Sequence, residues 1–365
     1  MMRDIPEVLT WNAPQAHLAA SFLGYLDRVS DAFGEHLGKA EREAPAAHKR
    51  LSAALERIDD EGFMRALLAP ETTYRLLHRR EPAVLRLHFL VAALEAEIAR
   101  AEGDPAAGIW TALGDMGWRA DGMLIENPRL RGGPVFDILS PHASAVDLGG
   151  PSGVTPRDPF EAEALRLIVD KLQAAVDGVH QAGRLFGEFA ARFNFVFIAQ
   201  TDRDDPGLFT SGSTGQYIGR SFITNPHRDS VRPIDLAEAM IHEGVHALLY
   251  MEEGRSPWVL NRDLYDPMKT RVVSPWTGSP LGVRPFLQAG FVWFALLHFW
   301  SAAWEAAAFD RPMIHERMTL ALRGFLAGPL EDRVADVRKD IAPEVRQAIA
   351  AMQAHVVEAW PASCL

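Results

Sequence analysis

Two histidines four residues apart carry the sharpest chemical signal in the chain, in the pentapeptide His242-Glu243-Gly244-Val245-His246. On an α-helix that spacing turns through about 400°, which leaves the imidazoles roughly 40° apart in azimuth and one turn apart in height, so both reach one ion. The flanks favour a packed helix over a loop, because Ala237, Met240, Ile241, Val245, Leu248 and Leu249 supply apolar positions around the pair. Asp235 can cap its start and Gly254 marks its end. Two imidazoles in this array suit a divalent transition metal. Glu243 between them then serves as a general base for a metal-bound water, or orients a ligand.

A metal used for chemistry takes a third protein donor and keeps a position open. The metzincin extension is excluded, because Ala247-Leu248-Leu249-Tyr250-Met251-Glu252 follows the second histidine where that class needs Gly and His. The third donor must come from elsewhere. Residues 285–304 carry no formal charge, yet Pro285, Gln288 and His298 interrupt them and Arg284 and Glu305 flank them, so they are expected to form a helix buried in protein. On that helix Gln288, Phe291, Ala295, His298, Ala302 and Glu305 share one stripe. Gln288 is expected at the site, and His298 or Glu305 as third ligand. Set against this, His298 could be a hydrogen-bonded core residue and Glu305 a solvated one. Glu252 and Glu253, in the last turn of the motif helix, are expected to be exposed.

These elements sit in a chain of 365 residues, 48% apolar and 23% charged, with 28 Gly and 24 Pro, which is ordinary globular composition. The single cysteine, Cys364, allows no internal disulfide, and a reducing cytoplasm is expected. The net charge of −11 is spread without blocks and argues against a nucleic-acid partner. The first 15 residues lack the basic and apolar regions of a secretory signal, and no membrane partner is expected. Helical periodicity runs from residue 15 to about 120, broken by Asp104-Pro105, Gly114 and Gly117, and a Gly- and Pro-rich loop follows over 131–160. The boundary is placed near residue 155, giving an N-terminal helical lobe (1–155) and an HExxH metal-binding catalytic domain (156–365). Further helices are expected over 161–193, 235–254, 285–309, 312–327 and 331–359, and strands over 193–200 and 216–225. The expected class is mostly α with a small β-sheet, its zincin-like HExxH helix packed against the buried helix. Arg75, Arg79, Arg80 and Arg86 with His78 and His88 are expected to form a solvated basic face, or a dock for an acidic leader peptide. GSTGQ over 212–216 lacks the Lys-Ser/Thr of a phosphate loop.

The segment LAEAMIHEGVHALL, then Ser274-Pro275-Trp276, then Leu287-Gln288-Ala289-Gly290-Phe291 and Phe299-Trp300, resembles the HExxH-motif domain family found beside clusters that make ribosomal peptide natural products (RiPPs). SGSTGQYIG upstream is similar to that family's Ser/Gly-rich lead into a strand, and the match covers about residues 210–305. Some members are Fe(II)- and 2-oxoglutarate-dependent dioxygenases that hydroxylate the β-carbon of residues in precursor peptides. The resemblance therefore implies iron held by His242 and His246 with His298 or Glu305, and a precursor peptide as substrate. Where family members often carry Arg, after Pro-Trp and before the Gln helix, this chain has Thr277 and Leu281. Arg284, Arg271 or Lys269 would replace those arginines as partner of the co-substrate carboxylate. Ser274, Thr277 or Tyr250 would supply hydroxyls, and Trp276, Phe291 and Trp293 an aromatic pocket. The alternatives are a zinc metallopeptidase, with Glu243 as general base and Glu305 as third ligand 59 residues beyond His246, and a non-catalytic, metal-stabilised peptide-binding module.

Overall fold

A computed structural model describes residues 5–12, 16–103, 108–144, 160–201, 207–266 and 270–360. Cys364, Lys269, Asp104-Pro105 and the boundary expected near 155 lie outside the described residues. The elements run α1 (Ile5–Val8), α2 (Ala16–Glu43), α3 (Pro45–Leu55), α4 (Asp60–Leu68), α5 (Pro70–Leu77), α6 (Ala83–Glu102), β1 (Met116–Trp118), β2 (Leu124–Glu126), β3 (Val135–Asp137), α7 (Pro141–Ser144), α8 (Ala162–Ala182), α9 (Arg184–Phe193), β4 (Val196–Gln200), β5 (Ser211–Ser213) and β6 (Arg220–Thr224). They continue with α10 (Pro233–Glu253), β7 (Arg271–Val273), β8 (Pro280–Gly282), α11 (Val283–Glu305), α12 (Arg311–Leu326) and α13 (Pro343–Ala359). The protein is mostly helical with small sheets, as its sequence pattern requires.

The chain packs into two compact units assembled from separate stretches: Met1–Leu23, Ala175–Phe189 and Pro233–Leu365 form one, Gly24–Ala174 and Ala190–Arg232 the other. In the first, α11 is the central element and packs against α10, α12 and α13. Its uncharged run explains why. Phe286, Phe291, Phe294, Phe299 and Trp300 on it are all at most 2% exposed, and Trp11 donates its indole N–H to the Ala295 carbonyl at 3.1 Å. It is the one described helix long and apolar enough to cross a membrane, and most of it is buried inside the protein. α10 is tied to α12 by Arg317, which reaches both Asp235 and Glu238. The single helix expected over 331–359 is in fact a 3-10 stretch over Leu330–Asp340 followed by α13. Pro343 sets the break, since a proline fits the first helical turn and nowhere further in.

The second unit builds a helical layer, in which α3, α4 and α5 pack on α6, and a four-stranded sheet of order β3-β4-β6-β5. β3 and β4 pair in parallel, as do β4 and β6, while β5 joins antiparallel. β4 and β6 fall in the runs expected to be strands. β3 lies in the segment expected to be loop: with only three residues it is too short to show a periodicity of two, and it is specified by pairing with the apolar Val196–Ile198.

Candidate metal centre

α10 positions the central pair. Its interior is apolar on nearly every face, and Ile241, Val245, Leu248 and Leu249 are fully buried, so the helix cannot rotate without exposing them. His242 and His246 consequently project together, with ring centroids 5.0 Å apart and planes tilted by 53°. Burial lowers both imidazoles to about 4, and for His246 the neighbouring His242 adds to the effect. Both are therefore neutral at physiological pH, the form that ligates a metal. The His242 side chain keeps 32% of its surface accessible, an approach from solvent that a reactive metal position requires. Glu243 is 1% exposed, and its Oε1 stands 3.9 Å from His242 Nε2, beyond hydrogen-bonding range.

A chain of hydrogen bonds fixes the chemistry of His246. The Glu253 carboxylate receives the Arg284 Nε–H at 2.7 and 2.9 Å on its two oxygens, and the Gln288 amide nitrogen at 3.3 Å. A carboxylate so placed only accepts, so the Gln288 side chain must present its N–H2 there and its Oε1 to the other side. That Oε1 lies 3.1 Å from His246 Nδ1. Nδ1 must then carry the proton, and the lone pair is left on Nε2, the tautomer that binds a metal. Tyr250 stacks on the His246 ring at 5.8 Å with planes 20° apart, and the Arg284 guanidinium lies 5.2 Å from the Tyr250 ring.

The structure thus brings together His242, Glu243, His246, Gln288 and Arg284, and separates the rest. His298 is ten residues beyond Gln288 on α11, about 15 Å along the axis, and its ring packs against Phe294, His355 and Trp360 at 4.7, 5.2 and 5.1 Å. Its neighbours are those of α13. Glu305 ends α11 roughly 25 Å along the axis from Gln288 and is exposed. The single stripe expected for these residues fails because 3.6 residues per turn carries it around the helix over five turns. Among the described residues no group of three His, Cys, Asp or Glu side chains is arranged to hold a metal. The donor set they offer is two imidazoles, that of His246 with its proton fixed on Nδ1, beside a buried carboxylate.

The expected co-substrate residues have other tasks. Arg284 pairs with Glu253 through its Nε and keeps 31% of its side-chain surface accessible. Arg271 is exposed on β7, and one of its N–H groups meets the Pro280 carbonyl at 3.3 Å. Ser274 is 2% exposed and closes the β7–β8 turn, its Oγ accepting the Thr277 N–H at 3.3 Å. Gly278 makes that turn possible with φ of +75°. Trp276 is fully buried, donates its indole N–H to the Ala321 carbonyl at 2.9 Å and stacks on Trp293 at 6.1 Å. Trp276, Phe291 and Trp293 form core and not a pocket wall, because bulky rings next to α11 are the material that buries it. Glu252 and Glu253 are also not exposed. Glu252 is 5% exposed and pairs with Arg255 at 3.2 Å. Glu253, expected to be solvated, is instead the partner of Arg284 and Gln288, and nothing local in the sequence marks a pair 31 residues apart.

No family model matches this chain, and no curated protein matches it. The resemblance drawn above rests on its motifs.

Proposed function

We propose that His242 and His246 are two ligands of a divalent transition metal in an enzyme that modifies peptides. The observation that carries this is the Gln288 contact: a buried amide is oriented by Glu253 so that it fixes the His246 proton on Nδ1. On this reading α10 against α11 is a zincin-like pairing of the motif helix with a buried helix, in a cytoplasmic protein.

When bound, the metal supplies Lewis acidity, or, as Fe(II) with 2-oxoglutarate, the oxidising power to hydroxylate a peptide β-carbon. The motif resemblance favours iron and a precursor peptide from a RiPP cluster. The chain's own residues act around it. Gln288 orients His246; Glu243, buried next to His242, holds or accepts a proton; Arg284 neutralises Glu253 and keeps that carboxylate from competing for the imidazoles. Arg284 meets Glu253 through Nε, which leaves its Nη groups as one candidate partner, beside Arg271, for the carboxylate of 2-oxoglutarate. The burial of Glu243 beside the pair also supports zinc peptidase chemistry, in which it would be the general base.

One experiment divides these. Purified protein is loaded anaerobically with Fe(II), then given 2-oxoglutarate, air and a candidate precursor peptide. The hydroxylase reading predicts succinate and a peptide heavier by one oxygen, both lost in His246→Ala. Shortened peptide with zinc and no succinate assigns the peptidase, and no turnover with either metal overturns both.

A further inference from the structure

The second unit contains a buried arginine whose bonding is half finished. Arg220 begins β6 and is 3% exposed, yet only its Nη1 has a partner, Glu71 Oε2 at 3.1 Å. Its Nε and Nη2 are buried with no hydrogen bond. Those two nitrogens lie on the same edge of the guanidinium, the edge that offers two parallel N–H groups and grips a carboxylate or phosphate with both. Buried donors left unmet in this way are rare in folded proteins, and two on one edge call for one acceptor with two oxygens.

The surroundings are densely charged. Glu71, itself 4% exposed, is bracketed by a second arginine, since Arg75 Nη2 reaches its other oxygen at 3.4 Å. Arg75 also has a buried Nε with no partner. Glu81 serves Arg75 and Arg79 together, at 2.8 and 3.1 Å. Three guanidinium groups therefore share two carboxylates, and Arg86, 8% exposed, adds a fourth positive charge that bonds only to backbone carbonyls and His36. Arg79 is exposed and the buried Asp137 also feels the Arg220 charge, so the buried charges nearly balance, and what is left over is the unmet Nε and Nη2 edge of Arg220. The basic face expected around Arg75 and Arg86 is thus turned inward at these two residues. Tyr217 lies against Arg220, ring centre 5.1 Å from the guanidinium carbon, and stacks at 4.2 Å on Tyr74, which is half-buried and gives the cluster a side toward solvent.

We infer that Arg220, with Arg75 across Glu71, forms a receptor for one oxyanion group, the carboxylate or phosphate of a small molecule, bound side-on by Nε and Nη2 of Arg220. Gly219, just before Arg220, holds φ of +86° with Phe195 packed where a side chain would stand, so only glycine fits at the entry to β6.

The test uses the full chain and two probes, acetate and inorganic phosphate, titrated against chloride at constant ionic strength, with melting temperature as the readout. A saturable rise with one probe is expected, and the probe that produces it assigns carboxylate or phosphate. Arg220→Lys keeps the charge beside Glu71 but has no two-pronged edge, so it should bind that probe about tenfold or more weakly. Arginine side-chain Nε–H resonances of the unmodified protein provide a second readout that needs no variant: one buried resonance should shift in step with the thermal titration. No saturable rise with either probe, an unchanged titration in Arg220→Lys, or no shifting Nε–H signal overturns the assignment.

Discussion

Replacing Gln288 by leucine isolates the relay from the ligands. The side chain is 3% exposed and similar in volume, so no cavity opens, and two contacts disappear: the acceptor 3.1 Å from His246 Nδ1 and the donor 3.3 Å from Glu253. Glu253 keeps Arg284, so the main loss is a part-buried imidazole N–H without a partner, costing at most about 1–3 kcal/mol of stability. The metal effect is separate. With no acceptor at Nδ1 the proton is free to occupy Nε2, and loss of an orienting partner lowers metal affinity by about 10–100-fold, roughly 1.4–2.7 kcal/mol. The assay is competition for Co(II) or Zn(II) between protein and a chromophoric chelator near neutral pH, with thermal unfolding of the metal-free protein alongside. A Gln288→Leu protein that binds metal as the wild type does would refute the relay, whatever its melting temperature.

Other outcomes follow from the same geometry. His298→Ala and Glu305→Ala should leave metal retention at wild-type level, because both side chains lie a long way along α11 from Gln288; a loss in either, measured as metal per chain after dialysis, would restore it as a ligand. Trp276→Ala should cost about 3–5 kcal/mol in denaturant unfolding, as expected of a fully buried ring, and a near-neutral effect would contradict its place in the core. Burial holds His142, His242, His246 and His298 near 4 in the folded state against an ordinary value near 6.5, so unfolding takes up protons between these limits. The metal-free protein should therefore keep full stability from these groups above about pH 6.5 and lose it down to about pH 4, with a slope of at least about 1.4 kcal/mol per pH unit in mid-window, equivalent to one proton. Chemical denaturation that shows stability flat or rising as pH falls through this range would disprove the burial of these rings.

Much of the unit that holds the histidine pair was legible because its signals are local. Helix periodicity and the i, i+4 spacing place α10 and its histidines, and an uncharged run of twenty residues announces α11 as a buried helix. What failed was orientation beyond two turns. A stripe drawn from Gln288 to Glu305 assumes that one face of α11 meets one neighbour, whereas the helix is surrounded and each turn faces a different partner: Gln288 meets α10, and His298 meets α13. The roles of Arg284 and Glu253 were likewise hidden, since a 31-residue separation leaves no local mark of an ion pair. Short strands such as β3 and β5 are specified by their partners alone, and the inward turn of Arg75 and Arg86 depends on Glu71, Glu81 and the backbone carbonyls around them.

The central claim is that residues 242 and 246 hold one metal ion through Nε2. X-ray absorption at the metal edge of stoichiometrically loaded protein tests it most directly. The account predicts imidazole scattering from two histidines at about 2.0–2.1 Å, reduced to one in His242→Ala and in His246→Ala. A spectrum without histidine scattering, or one unchanged in both variants, would contradict it.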